Sequence, residues 1–236
     1  PRLVLLLVCA GPRHAWAGAT APTLPLANVD TTVPTVNGTT CNAGTTAAFS
    51  SCLTTVAALT GAANHEIVLT ANVDYQGTFT LPAKSGSGWV VIRSANTASL
   101  PAAGVRVAPT DATNMPRIRS NVQNAGRAIA VSGDKYWLIG LHVIAQSTMV
   151  LGEPSGNLVD NNNGQSDFIV DRCYVQGDPL IWGIRAVVLN GTRVAVINSY
   201  LIDFGRTSSG DSQVILITSG AGPFLVENNH LEGAWS

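Results

Sequence analysis

The chain has 236 residues, of which only 11% are charged, and a formal net charge of −1. Globular proteins usually carry about 25% charged residues. This composition excludes a phosphate-neutralising nucleic-acid binder and a protein built of ion-pair-laced helices. Apolar residues make up 46%, too many for a disordered chain, so hydroxyls, amides and glycine must cover most of the surface.

In chain order, the first element is an apolar run, Leu3–Ala10, preceded by Arg2 and followed by Ala15-Trp16-Ala17. A short h-region before an A-x-A site reads as the remnant of a secretory signal peptide over residues 1–17, cleaved near Ala17, and the run is too short to span a bilayer. The expected location is secreted or periplasmic. Residues 18–62 read as a Pro/Thr-rich lead-in followed by one amphipathic helix over Thr45–Leu59, with Phe49, Cys52, Leu53, Val56 and Leu59 on one face and Gly61 as its stop. Cys41 and Cys52 flank the helix start and are the natural disulfide pair in an oxidising compartment. Cys173 lies within an apolar segment as a buried free thiol, and no C-x-x-C spacing suggests zinc.

Residues 63–236 change character. Short β segments such as Ile67–Leu69, Gly77–Leu81 and Trp89–Ile92 are separated by Gly, Asn, Ser and Asp. Four eight-residue segments align without gaps: Tyr136–Val143, Phe168–Val175, Val194–Leu201 and Phe224–Leu231. Their first, third and last columns are apolar or aromatic, and their spacing is irregular. Fixed strands with variable loops are the signature of a solenoid, in which coils stack in parallel about 4.8 Å apart and length variation is expelled into loops. The predicted fold is all-β, a right-handed parallel β-helix with one N-terminal capping helix. Asn190-Gly191 reads as a corner between two strands of a coil.

These repeats resemble the right-handed parallel β-helix proteins of the pectin/pectate lyase-like superfamily, and more narrowly a group of exported bacterial β-helix repeat proteins. The resemblance is carried by Gly77–Trp89, Asp171–Pro179, Asp211–Gln213 and Gly222–Glu232. It implies that the helix caps the first coil and that further coils and a C-terminal cap follow Ser236. It also implies a monomer acting on an acidic, uronate-containing polysaccharide. Superfamily lyases use carboxylates, often with Ca²⁺, to neutralise the uronate, and an Arg or Lys as base.

Candidate chemistry concentrates where nine of the 14 carboxylates lie, between Glu153 and Glu232. Arg172 and Arg185 are candidate bases, although an arginine is normally a cation. Asp171 and Glu227 share the fourth column, expected to face outward two coils apart, about 9–10 Å. That spacing approaches the carboxylate separation of inverting glycosidases. Asp171, Asp178 and Asp203 are a candidate Ca²⁺ set, and Asp211 belongs to the motif Asp211-Ser212-Gln213. Asp178 before Pro179 also fits a plain turn. His142 and His230 fall in line with Tyr174 and Tyr200 and read as structural, as do Asn198, Asn228 and Asn229 at the corners. The Gly-His-Gly and Arg-x-Lys pattern of polygalacturonases is absent, and the Trp-Ile-Asp-His motif of pectate lyases is only echoed at Phe168–Cys173. Retention of a glycan without catalysis and hydrolysis by outward carboxylates remain open beside β-elimination.

Overall fold

A computed structural model describes residues 29–120, 127–145, 157–178, 185–204 and 213–233. Strand β1 (Thr40–Ala43) is followed by helix α1 (Thr46–Ala57). Thr45 caps α1: its side chain accepts the amide of Ala48, supplying one of the partners that a helix start lacks. The chain then winds in coils. The first contains β2 (His65–Leu69), β3 (Asp74–Gln76) and β4 (Phe79–Leu81). The second contains β5 (Val90–Ser94), β6 (Arg117–Arg119) and β7 (Ile129–Val131). The third contains β8 (Tyr136–Ile139), β9 (His142–Ile144) and β10 (Asn157–Asn161). The fourth contains β11 (Phe168–Asp171), β12 (Tyr174–Gln176) and β13 (Arg185–Leu189). The fifth contains β14 (Val194–Ile197), β15 (Tyr200–Ile202) and β16 (Gln213–Leu216), and β17 (Phe224–Glu227) and β18 (His230–Leu231) begin a sixth.

Every third strand stacks on its predecessor in a parallel sheet. Sheet I has the order β1-β2-β5-β8-β11-β14-β17, sheet II β3-β6-β9-β12-β15-β18, and sheet III β4-β7-β10-β13-β16. This is the parallel β-helix that the repeats predict. The aligned segments stack in register, Tyr136 on Phe168 on Val194 on Phe224, and His142 on Tyr174 on Tyr200 on His230. Each segment therefore holds two strands, one from sheet I and one from sheet II, joined at a corner.

Inward columns such as Val90-Tyr136-Phe168-Val194 and Ile92-Leu138-Val170-Val196 fill a single core, closed at its start by Phe49, Cys52, Leu53 and Val56 of α1. Phe49 lies 4.5 Å from Phe79 and edge-on to Tyr75. Truncating one of these large side chains to alanine costs about 2–5 kcal/mol. Cys41 and Cys52 form a disulfide that ties β1 to α1, with Cα atoms 5.8 Å apart. Cys173 is a buried thiol, and the loss of solvation pushes it up to about 12.

The corner between sheets I and II needs a left-handed residue in each of the last four coils: Gly140, Arg172, Asn198 and Asn228 have φ of 63°, 48°, 53° and 52°. Glycine and asparagine tolerate that region and arginine rarely does. In the second coil residues 95–116 replace the two-residue corner, with 3-10 turns at Thr97–Ser99 and Pro109–Asn114. This insertion climbs the later corners. Val107 donates its amide to Asn198 O at 3.0 Å, and Asn228 Nδ2 reaches Gly104 O at 3.0 Å. Gly140 lets the insertion approach, since a Cβ there would stand 2.2 Å from Leu100 Cδ1. The lead-in from Val29 lies on the outward face of sheet I. Val29 and Val36 cover an apolar stripe of Val91, Trp137, Ile169 and Ala195.

Candidate functional site

The sequence candidates fall on three different faces. Asp171 and Glu227 do share an outward column of sheet I with Ile197 between them, and with Thr31, Ala103 and Asn198 they line a cleft of about 410 Å³. The column is not open along its length, however. Asp171 is 2% exposed. One carboxylate oxygen accepts Arg172 Nε at 3.0 Å and the other Asn198 Nδ2 at 3.0 Å. Arg172 is 7% exposed and also donates to Pro101 O. The pair is a buried structural bridge beneath the insertion. In this arrangement neither the Arg172 nor the Asp171 side chain presents a free group for a base role or for an acid–base role opposite Glu227.

The three residues of the candidate Ca²⁺ set are not brought together. Asp171 ends a strand of sheet I with both oxygens engaged, whereas Asp178 and Asp203 lie beyond the ends of sheet II strands. Asp203 accepts Gln176 Nε2 at 3.1 Å. Among the described residues no group of three or more His, Cys, Asp or Glu side chains is placed to hold a metal ion. These three residues do not fit calcium, which takes six to eight oxygens. Asp211 and residues 1–17, which the sequence reads as a signal-peptide remnant, lie outside the described residues.

The rings on sheet II form a stack. His142 lies 4.4 Å from Tyr174 and Tyr200 lies 4.2 Å from His230, both nearly parallel. Their faces are occupied by one another, which matches the structural reading. Burial pulls His142 down to about 4, assisted by Arg119 and Arg117 and opposed by its contact with Gln176. Asp74, hydrogen-bonded by Arg117 and Arg119, is held at about 2. The corner asparagines do satisfy stacked groups: Asn228 Nδ2 donates to Asn198 Oδ1, and Asn229 Oδ1 accepts the amide of Ser199.

Arg185 is placed differently. It opens β13 on sheet III, with Asn157 in register on the coil before it and Gln213 on the coil after it. Arg127 stands two residues before Ile129, the partner of Val159, and so occupies the same rank one coil earlier. Arg127, Asn157, Arg185 and Gln213 thus make one column over four successive coils, about 14 Å long at the parallel-strand spacing. Arg185 Nε donates to Gln213 Oε1 at 2.7 Å. Arg127 pairs with the buried Asp160 at 2.5 Å, and Asn157 Nδ2 donates to the same carboxylate at 3.0 Å. Asn157 Oδ1 is buried without a hydrogen-bond donor, a deficit worth about 1–3 kcal/mol.

The column carries the guanidinium groups of Arg127 and Arg185 and the amides of Asn157 and Gln213, with the Asp160 carboxylate held by Arg127 and Asn157. Such a surface suits a polymer bearing carboxylates and hydroxyls at a regular repeat. Of its members, sequence reasoning singled out only Arg185 and, within a motif, Gln213. Arg127, Asn157 and Asp160 were missed. The signal was present as a 28-residue offset from Asn157 to Arg185 and again from Arg185 to Gln213.

No protein-family model matches the chain, and no curated protein matches it. Among solved structures, it is similar to an alginate lyase from Paenibacillus sp. str. FPU-7, with 17% identity and a TM-score of 0.44 over 81% of this chain. The chain spans 65% of the length of that structure. No helix among the described residues is long and apolar enough to cross a membrane.

Proposed function

We propose that this β-helix binds an acidic, uronate-containing polysaccharide along the outward face of sheet III and cleaves it by β-elimination. The observation that carries the reading is the column Arg127–Asn157–Arg185–Gln213 on four successive coils. Its spacing matches an extended polymer, and guanidinium groups and amides along it are hydrogen-bond donors suited to carboxylates and hydroxyls. In β-elimination a base takes the proton alpha to the uronate carboxylate, the electron pair left behind forms a carbon–carbon double bond, and the glycosidic oxygen leaves with its bonding pair and takes up a proton from water. A cation beside the carboxylate stabilises the charge that develops there. Arg185 takes that role, its planar guanidinium being able to hold a carboxylate through two parallel donors. The reading agrees with a secreted or periplasmic protein, where the Cys41–Cys52 disulfide persists.

One observation favours a second reading, retention without cleavage: the carboxylate of this face, Asp160, is engaged by Arg127 and Asn157. The two are separated by incubating the protein with polygalacturonate and with alginate. Ultraviolet absorbance from unsaturated chain ends and retardation in polyuronate affinity gels are then followed together. Arg185→Ala and Asn157→Ala are expected to lower both signals at least about tenfold, one lost charge-assisted contact. Retardation without absorbance selects the second reading, and no retardation on either polymer refutes the proposal.

A further inference from the structure

A separate cavity of about 330 Å³ lies at the corner where sheet III passes into sheet I. It is lined by Trp89, Lys135, Asp167, Ile169 and Arg193, with Asp30 of the lead-in as an opposing wall. The register explains why these residues meet. Each of Trp89, Lys135, Asp167 and Arg193 directly precedes a sheet I strand, and Val90, Tyr136, Phe168 and Val194 stack in order. Lys135, Asp167 and Arg193 all have left-handed backbones, with φ of 63°, 56° and 55°. The corner therefore turns the same way in three successive coils, and their side chains project into one concave space.

We infer that this cavity binds a neutral saccharide unit, at a site distinct from the sheet III column and independent of the reading given for it. Its volume lies within the ~300–1,000 Å³ of small-ligand pockets. Trp89 is half-buried and tilted against Trp137 at 5.7 Å, giving an indole surface for the apolar side of a pyranose ring. The polar groups are anchored yet keep capacity. Arg193 holds Asp167 through Nε and Nη2 at 2.6 and 2.7 Å, leaving Nη1 and a half-exposed side chain. Lys135 donates one of its three protons to Ser87 O at 2.7 Å. Asp30 accepts the amide of Thr32 through one oxygen. Two cations face two carboxylates, so the pocket carries no net charge. An anionic sugar gains nothing there over water, whereas vicinal hydroxyls meet donors and acceptors side by side.

The test is isothermal titration of the full chain with cellohexaose and mannohexaose as neutral probes and oligogalacturonate as the anionic one. Binding of at least one neutral probe is expected, weakened about tenfold by Trp89→Ala. Trp89 also packs on the sheet, so Lys135→Asn is the companion variant. Asparagine accepts the left-handed backbone and removes the cation, and it decides the matter if Trp89→Ala lowers the melting temperature. Arg185→Ala should leave neutral binding unchanged. The inference is overturned if neither neutral probe binds, if both are bound equally well by Lys135→Asn and by a folded Trp89→Ala, or if Lys135→Asn instead removes oligogalacturonate binding.

Discussion

Replacing Asp171 by alanine tests whether the Asp171–Arg172 pair holds the fold together. The ions are 3.0 Å apart, with side-chain exposures of 3% and 8%. At an effective dielectric of ~20, two unit charges at that distance attract by about 5 kcal/mol. Breaking a buried pair by removing one member costs about 3–5 kcal/mol, because the other charge stays desolvated. Arg172 would keep only Pro101 O, and Asn198 Nδ2 would lose its acceptor. Asp171→Ala should therefore lower unfolding free energy by about 3–5 kcal/mol in urea titrations followed by circular dichroism. The double variant Asp171→Ala/Arg172→Asn removes the stranded charge and places asparagine on a left-handed corner, as at Asn198 and Asn228. It should return to within about 1 kcal/mol of the parent protein. A single-variant cost below about 1 kcal/mol, or a double variant no more stable than the single, would refute this reasoning.

Acid should weaken the fold through His142. Its folded value of about 4 lies below the ordinary histidine value, so the unfolded chain takes up the proton first. Its contribution, present above pH ~6.5, is lost as pH falls through about 4, by about 3 kcal/mol in all. His142 faces Arg117, Arg119, Asp74, Tyr174 and Gln176. Asp74 adds its own loss only below pH ~3.8. His142→Tyr should flatten the pH 7-to-4 difference in urea midpoint, and an unchanged slope would count against the assignment. Reducing Cys41–Cys52 should cost about 2–4 kcal/mol. Under native reducing conditions an alkylating reagent should label those two thiols and spare Cys173, as mass spectrometry of the peptides would show. Labelling of Cys173 at the same rate would contradict its burial.

Two of the three sheets were legible in the amino-acid pattern because their strands are joined by a two-residue corner. Tyr136–Val143, Phe168–Val175, Val194–Leu201 and Phe224–Leu231 each carry a constant spacing that alignment detects. The coil before them escaped, since residues 95–116 separate Val90–Ser94 from Arg117–Arg119 and break the eight-residue unit. In sheet III single strands were read at Gly77–Leu81 and before the Asn190-Gly191 corner, but their stacking escaped for a different reason. Its strands open on polar residues after loops of unequal length, so Asn157, Arg185 and Gln213 read as unrelated polar positions. The burial of Asp171 was hidden because the residues that cover it, from Pro101 to Gly104, lie about 70 positions earlier in the chain. A period-two argument gives the face of a sheet on which a residue lies. It does not give what a distant segment lays over that face.

The insertion at residues 95–116 also bears on how the molecule comes apart. A plain solenoid joins each rung only to its neighbours, so it can fray from an end and melt by degrees. Here a cord leaving the second rung is tied to the fifth at Val107–Asn198 and to the sixth at Gly104–Asn228. The sixth rung cannot detach without loosening the cord, and the cord cannot loosen without uncovering Asp171 and Arg172 in the fourth. Ties across some 90 to 120 positions also delay assembly, because long loops must close before those contacts form. The clasp exchanges the gradual melting of a ladder for the all-at-once failure of a knot.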